Sequence, residues 1–322
     1  MIKESIKDFI ANHPDLKYVF FGGKGGVGKT VMAGMTALYL SETGKKVLLA
    51  STNPVHSLSG LLKQDVFGKE KKVNDTDLYA LEIATKDVIG KKKGEIKEKI
   101  EWFLKYADIS GQKTEDFIES ATMNPAFEES AMFEKMVDLM FEDKYDSYVF
   151  DTAPTANARR LLGMSKVYTL WVEKMLASRK DATELKKKLS FSQKEEKDPL
   201  LTYLLNFKER IERVHRLLTD DKLTAFFFVT LPEALPIAVI KRFIGWFKEF
   251  GIPVGGVIVN RVIDKRAAQD NAPDFVLNRI AMQEKYLAEI NSSFPNVRGI
   301  LPEMDKEIRG VPLLKEAMKH IF

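Results

Sequence analysis

The chain has no cysteine at all, which excludes disulfides, thiolate zinc sites, iron–sulfur clusters and cysteine nucleophiles together. Histidine is scarce as well: His13, His56, His215 and His320 are scattered and form no metal-spaced pair, so no histidine-built metal centre is expected. A charge excess of one sign is also missing. Fifty basic residues face 46 acidic ones, a net charge of +4 over 322 residues, far from the concentrated basic footprint of a nucleic-acid binder, and no nucleic-acid partner is expected. Nor does any stretch approach the roughly 18 consecutive apolar residues of a membrane span. The first ten residues carry Lys3, Glu4, Lys7 and Asp8 among apolar positions, unlike a secretory leader. The expectation is a soluble, cytoplasmic protein.

Short apolar runs bounded by Gly, Asn or Pro recur: Tyr18 to Phe21, Val47 to Ser51, Leu78 to Ile83, Tyr148 to Asp151, Phe226 to Thr230, Val257 to Asn260 and Val297 to Leu301. Helical patterns separate them, and runs such as Phe226-Phe227-Phe228-Val229 lack polar alternation, as strands covered on both faces do. The predicted fold is α/β, a doubly wound and mostly parallel sheet in a single domain spanning residues 1–322. Two long intervals, approximately 85–143 and 161–222, read as helices and predict an inserted α-helical subdomain.

The sequence Gly22-Gly23-Lys24-Gly25-Gly26-Val27-Gly28-Lys29-Thr30-Val31 follows the first strand and contains Gly-x4-Gly-Lys-Thr immediately before a helix. This is the pattern of a phosphate-binding P-loop. Glycines let the backbone approach the phosphates and aim successive N–H groups at them, and the helix dipole favours negative charge. Lys29 is expected to reach the terminal phosphates and the Thr30 hydroxyl to ligate magnesium. A nucleotide with Mg2+ is therefore the expected ligand set, and the resemblance that follows implies that the nucleotide is ATP.

With Lys24 near its start, this loop resembles that of the deviant-Walker dimeric ATPases. In that group the early lysine crosses to the partner subunit's nucleotide, so the resemblance implies a homodimer and a catalytic role for Lys24. Ser51-Thr52-Asn53-Pro54-Val55-His56-Ser57-Leu58 resembles the first switch of the tail-anchored-protein targeting and arsenite-pump ATPases, and Asp151-Thr152-Ala153-Pro154 resembles their second. The resemblance implies that Asp151 supports the magnesium shell through water and that Pro54, His56, Thr152, Ala153 and Pro154 shape the switches. It places the family's nucleotide-site glutamate at Glu233 and its adenine-contacting asparagine at Asn260. Pro302 and Glu303, with Lys306, Glu307 and Gly310 after them, fall on the adenine loop. The agreement runs over roughly residues 18–315, and the chain is identified as a cysteine-free prokaryotic, archaeal-type member of that family.

Three departures matter. Asn53 stands where the family has its catalytic aspartate; an amide can hold the attacking water but cannot accept its proton, so slow hydrolysis is expected. Asn157 likewise replaces a switch histidine. The family's zinc-binding Cys-x-x-Cys pair falls on Pro273 and Val276, so no zinc is expected, and either contacts around Phe275 and Val276 or the nucleotide itself must join the halves of a dimer. Arsenite chemistry, which needs thiolates, is not expected either.

The targeting branch shields a client's hydrophobic helix in a groove between helical subdomains, and flexible, polarizable methionine suits such a surface. Groove candidates are Met123, Met132, Met136, Met140, Met164, Met175, Leu176, Leu200 and Leu204. The resemblance thus implies an ATPase whose homodimer opens and closes an apolar groove for a membrane-protein client, with a membrane receptor as a further partner. A nucleotide-locked scaffold with little hydrolysis is the alternative, favoured by Asn53 and Asn157.

Overall fold

Alternation within each strand decides which side chains meet which helices, since successive side chains point to opposite faces of a sheet. In the computed structural model, which describes residues 2–52, 57–74, 76–84, 87–91, 94–95, 98, 125–152, 199–265 and 272–322, eight strands form one sheet in the order β3-β4-β2-β5-β1-β6-β7-β8. They are β1 (Tyr18–Gly22), β2 (Val47–Ser51), β3 (Lys71–Lys72), β4 (Leu78–Glu82), β5 (Ser147–Asp151), β6 (Thr224–Thr230), β7 (Val254–Val262) and β8 (Val297–Pro302). Only β3 pairs antiparallel, with β4; the other pairings are parallel.

Among the described residues the helices are α1 (Ile6–Asn12), α2 (Lys29–Glu42), α3 (Ser57–Leu62), α4 (Pro125–Glu142), α5 (Pro199–Thr219), α6 (Ala234–Glu249), α7 (Asp274–Ser293) and α8 (Val311–Met318). One core places Val19, Phe21, Leu49, Val149, Phe227 and Val229 against α1, α2, α3 and α8. The other places Tyr18, Phe20, Leu48, Phe150, Phe226 and Phe228 against α4, α6 and α7. Phe20 stacks between Phe150 and Phe226 at ring separations of 4.8 and 4.4 Å. The uninterrupted Phe run of β6 therefore serves both faces, as its lack of alternation predicts.

The seven expected strands are present, several a residue or more longer. β3 was not among them: two lysines carry no periodic signal, and their charge suits an exposed sheet edge. α3 and α1 were not foreseen either; α1 is fixed by a capping box in which the Ser5 hydroxyl and Asp8 carboxylate each accept from the other's backbone N–H. The predicted helical intervals hold α4 and α5, and most of the remainder lies outside the described residues. Met132, Met136 and Met140 require a correction. They are buried in the core beneath the sheet, because the side of α4 that carries them faces the apolar side chains of β1 and β5, so among the described residues they pack the interior.

β1 lies between β5 and β6, and the chain leaves it for β2 on one side and later for β6 on the other. Such a switch in strand order opens a crevice at the carboxyl ends of the strands. Parallel pairing brings the P-loop, Asp151, Asn260 and Pro302, each following or ending a strand, to that one edge.

Candidate nucleotide site

Two glycines show why the P-loop sequence is what it is. At Gly23 (φ 145°) a Cβ would stand 2.4 Å from the Val229 carbonyl oxygen, and at Gly28 (φ 95°) 2.2 Å from Asn260 Nδ2. Both have a conformation that favours glycine and no space for a side chain. Asn260 Nδ2 donates to the Val27 carbonyl at 2.8 Å, so the end of β7 props the loop from the side.

Lys29 is buried, and its Nζ donates to the Lys24 carbonyl at 3.2 Å. Burial holds its pKa below the ordinary lysine value, and the charge of Asp151 partly opposes this. Thr30 Oγ1 donates to Asp151 Oδ2 at 2.7 Å, and Ser51 Oγ donates to the same oxygen at 3.0 Å. Asp151 is fully buried, and its other oxygen, Oδ1, has no hydrogen-bond partner among the described residues. Burial pushes its pKa up, against the opposing effects of Thr30, Lys29 and Ser51, while Glu82 adds to the rise. A buried carboxylate oxygen without a donor calls for one, and a water bound to a divalent cation would supply it. The Thr30 hydroxyl can give its proton to Asp151 and a lone pair to the same cation. The donor set fits magnesium, which keeps most of its waters and takes few protein ligands. No group of three or more acidic, histidine or cysteine side chains that could hold a metal occurs among the described residues.

Lys29 and Thr30 line a cavity of about 920 Å³, within the range of small-molecule sites. Gly25, Gly26, Gly28, Lys29, Thr30 and Val31 line one part of it; Asn260, Pro302 and Glu303 line another. Val27 is buried behind the loop, and Gly23 lies close against the Val229 carbonyl of β6. Lys24 is half-buried and does not line the cavity. Glu233 is not among the residues lining the cavity; its carboxylate accepts from Arg279 at 2.6 Å, near the start of α7. Thr152 donates through Oγ1 to the Phe21 carbonyl at 2.8 Å, tying the start of the second switch to β1. Asn53, Pro54, His56, Ala153, Pro154, Asn157, Met123, Met164, Met175 and Leu176 lie outside the described residues, as do the side chains of Leu200 and Leu204.

The structure adds residues that motif spacing did not single out. Ser57, Gly60 and Leu61 of α3 line the cavity. Buried Glu82 at the end of β4 accepts from Leu58 N at 3.0 Å, Ser59 N at 3.3 Å and Ser59 Oγ at 2.6 Å. It thereby anchors the helix that follows the first switch. Leu61 O accepts from Gly310 N at 2.6 Å, which joins α3 to the segment between β8 and α8. No helix among the described residues is long and apolar enough to cross a membrane, and α8 buries Leu314 and Ala317 beside α2.

Comparison with known proteins agrees with this geometry. The model of the anion-transporting ATPase family matches residues 16–322. Similar proteins include a putative arsenical pump-driving ATPase 2 of Aquifex aeolicus, 33% identical over 95% of this chain and 99% of its own length. ATPase GET3C of Arabidopsis thaliana is 31% identical over 93% of this chain and 80% of its own. ATPase ASNA1 homolog 2 of Paramecium tetraurelia is 28% identical over 98% and 96%. With a P-loop, a buried carboxylate behind it and a family match over nearly its whole length, the chain belongs to the anion-transporting ATPase family and is an ATPase.

Proposed function

We propose that this protein is an ATP-gated homodimer that binds the hydrophobic helix of a membrane-protein client, closing its helical subdomains when ATP is bound and reopening after hydrolysis or product loss. The observation that carries the nucleotide half is Asp151, whose Oδ1 is buried without a donor among the described residues while Oδ2 accepts from the P-loop threonine. Lys29 and the loop amides hold the phosphates, Thr30 and (through water) Asp151 hold magnesium, and Asn260, Pro302 and Glu303 take the adenosine end. Magnesium, when bound, neutralises charge on the phosphate oxygens.

The dimer half is supported by exposed apolar surface at the starts of α6 and α7. Phe275 is 77% exposed and Leu235 60%, and the Glu233–Arg279 pair links the same two helix starts. Single exposed apolar residues are ordinary, but two large ones on linked helix starts suit a subunit contact. Apolar packing there takes the place of zinc, since Pro273 and Val276 carry no donor atom. The client half rests on the family resemblance and on the segments containing Met123, Met164, Met175 and Leu176. A receptor at the membrane would receive the client.

Asn53 favours a second reading, a nucleotide-locked dimer that presents a surface with little turnover. Steady-state and single-turnover hydrolysis, with light scattering in the presence and absence of ATP, separates the two for the wild-type protein, Asn53→Asp and Lys29→Ala. Client cycling predicts ATP-dependent dimers, turnover above background in the wild-type protein, faster turnover with aspartate, and capture of an apolar helical peptide in the ATP state. Tight ATP binding with no turnover supports the locked dimer. Lys29→Ala is expected to abolish ATP binding; if it binds ATP as the wild type does, the nucleotide site is wrong.

A further inference from the structure

At the exit of β7 the backbone does something costly at a residue that is not glycine. Arg261 has φ 58°, the left-handed region that side chains other than glycine rarely adopt. Three side-chain hydrogen bonds from buried amides hold the turn there. Asn260 Oδ1 accepts from Arg261 N at 2.9 Å. Gln283, from α7, donates through Nε2 to Arg261 O and accepts through Oε1 from Ile263 N, both at 2.9 Å. The pairing of β7 with β8 shifts register between Val259 and Val262, so the turn replaces regular ladder bonds with this clamp. The side chain so placed lines the nucleotide cavity and is exposed, and no described residue pairs with its guanidinium.

We infer that Arg261 is a nucleotide contact, its guanidinium lying over the base of bound ATP, and that the Asn260–Gln283 clamp exists to place it. This rests on the nucleotide reading above. Strand order indicates which end of the nucleotide it meets. The phosphate groups of the site, Lys29, Thr30 and Asp151, follow or end β1 and β5, whereas Arg261 lies on β7, two strands from β1 on the opposite side from β5. At about 4.8 Å per strand this is about 10 Å from β1, the order of distance that separates the base from the terminal phosphates in an extended nucleotide. Pro302 and Glu303, on the rim beside Arg261, end or follow β8, further still from the phosphates. A planar, weakly hydrated guanidinium stacks well on an aromatic face, and a purine offers the larger one.

Titration calorimetry with ATP and with inorganic tripolyphosphate, which has phosphates but no base, tests this on wild-type protein, Arg261→Gly, Arg261→Lys and Lys29→Ala. Arg261→Gly is the informative change because glycine accepts the positive φ: it removes the side chain and relieves the turn together. Expected are an ATP affinity about tenfold weaker, unchanged tripolyphosphate affinity, and a nucleotide-free melting temperature equal to or above that of the wild type. Arg261→Lys keeps the charge without the planar fork and should bind ATP with intermediate affinity. Equal weakening toward ATP and tripolyphosphate would overturn the assignment in favour of a phosphate contact. No weakening toward either, or a lowered melting temperature with ATP affinity intact, would leave Arg261 a structural residue and overturn it too. Wild-type protein that binds neither probe would refute the nucleotide site itself, a different outcome from any of these.

Discussion

Replacing Asp151 by Asn should stabilise the nucleotide-free protein while weakening its response to magnesium and ATP. Asp151 is fully buried, and one oxygen takes the hydroxyls of Thr30 and Ser51 while the other has no partner among the described residues. Its pKa is raised by burial even with Thr30, Lys29 and Ser51 pulling the other way, so ionisation at this place is unfavourable after those attractions have been counted. An asparagine can present its carbonyl to both hydroxyls. Its NH2 then occupies the place of the unpartnered oxygen, and an unsatisfied neutral donor costs about 1–3 kcal/mol, less than a buried carboxylate oxygen without a partner. The net gain should be about 1 kcal/mol, or about 2 °C in melting temperature for a chain of this size.

The sign of the pH dependence follows from the same shift. An acid whose folded pKa is raised contributes stability that is fully present below its unfolded value of about 3.9 and is lost as pH rises through the folded pKa. The advantage of Asp151→Asn should therefore be largest near neutral pH and shrink on acidification. With saturating magnesium and ATP the order should reverse, because the wild type gains binding energy that the amide cannot. Calorimetric melting in chelator and in magnesium with ATP checks both. An Asp151→Asn protein that melts several degrees below the wild type in chelator at neutral pH would mean that Oδ1 is satisfied and the carboxylate structural, and would refute the reasoning.

Gly28→Ala places a methyl group 2.2 Å from Asn260 Nδ2 at a residue with φ 95°. The left-handed penalty of about 1–2 kcal/mol and a lost Asn260–Val27 hydrogen bond of about 1 kcal/mol should lower urea-unfolding stability by about 2–3 kcal/mol, with weakened ATP binding. Glu82→Gln leaves one acceptor for donors from Leu58 and Ser59 and sets an amide NH2 against a backbone N–H. A stability loss of about 2 kcal/mol should accompany slower hydrolysis with ATP affinity changed only a few-fold, because α3 carries the residues after the first switch; unchanged turnover would detach Glu82 from the switch.

What the sequence alone makes legible here is chemistry that must be contiguous. Loop amides can surround a phosphate only if Gly23 to Thr30 are neighbours, and a strand buried on both faces must be apolar throughout, so the P-loop and the strands are visible as strings. The rest of the site is assembled across the sheet. Thr30 and Ser51 meet Asp151 from 121 and 100 positions away, and only strand pairing brings them together. Helical spacing could not divide core from groove at Met132, Met136 and Met140, because both uses require the same period; the apolar side chains of β1 and β5 opposite them settle it. Glu233 was placed by its position in a resembling motif, which is silent about an Arg279 46 residues further on. Arg261 is the extreme case. Arginine in a sequence gives no sign of a left-handed backbone, and what holds it there is a glutamine 22 residues later on another helix. Motif reasoning therefore reaches the phosphate end of this site and, through the resemblance, Asn260, Pro302 and Glu303, whereas Arg261 becomes readable only from backbone conformation.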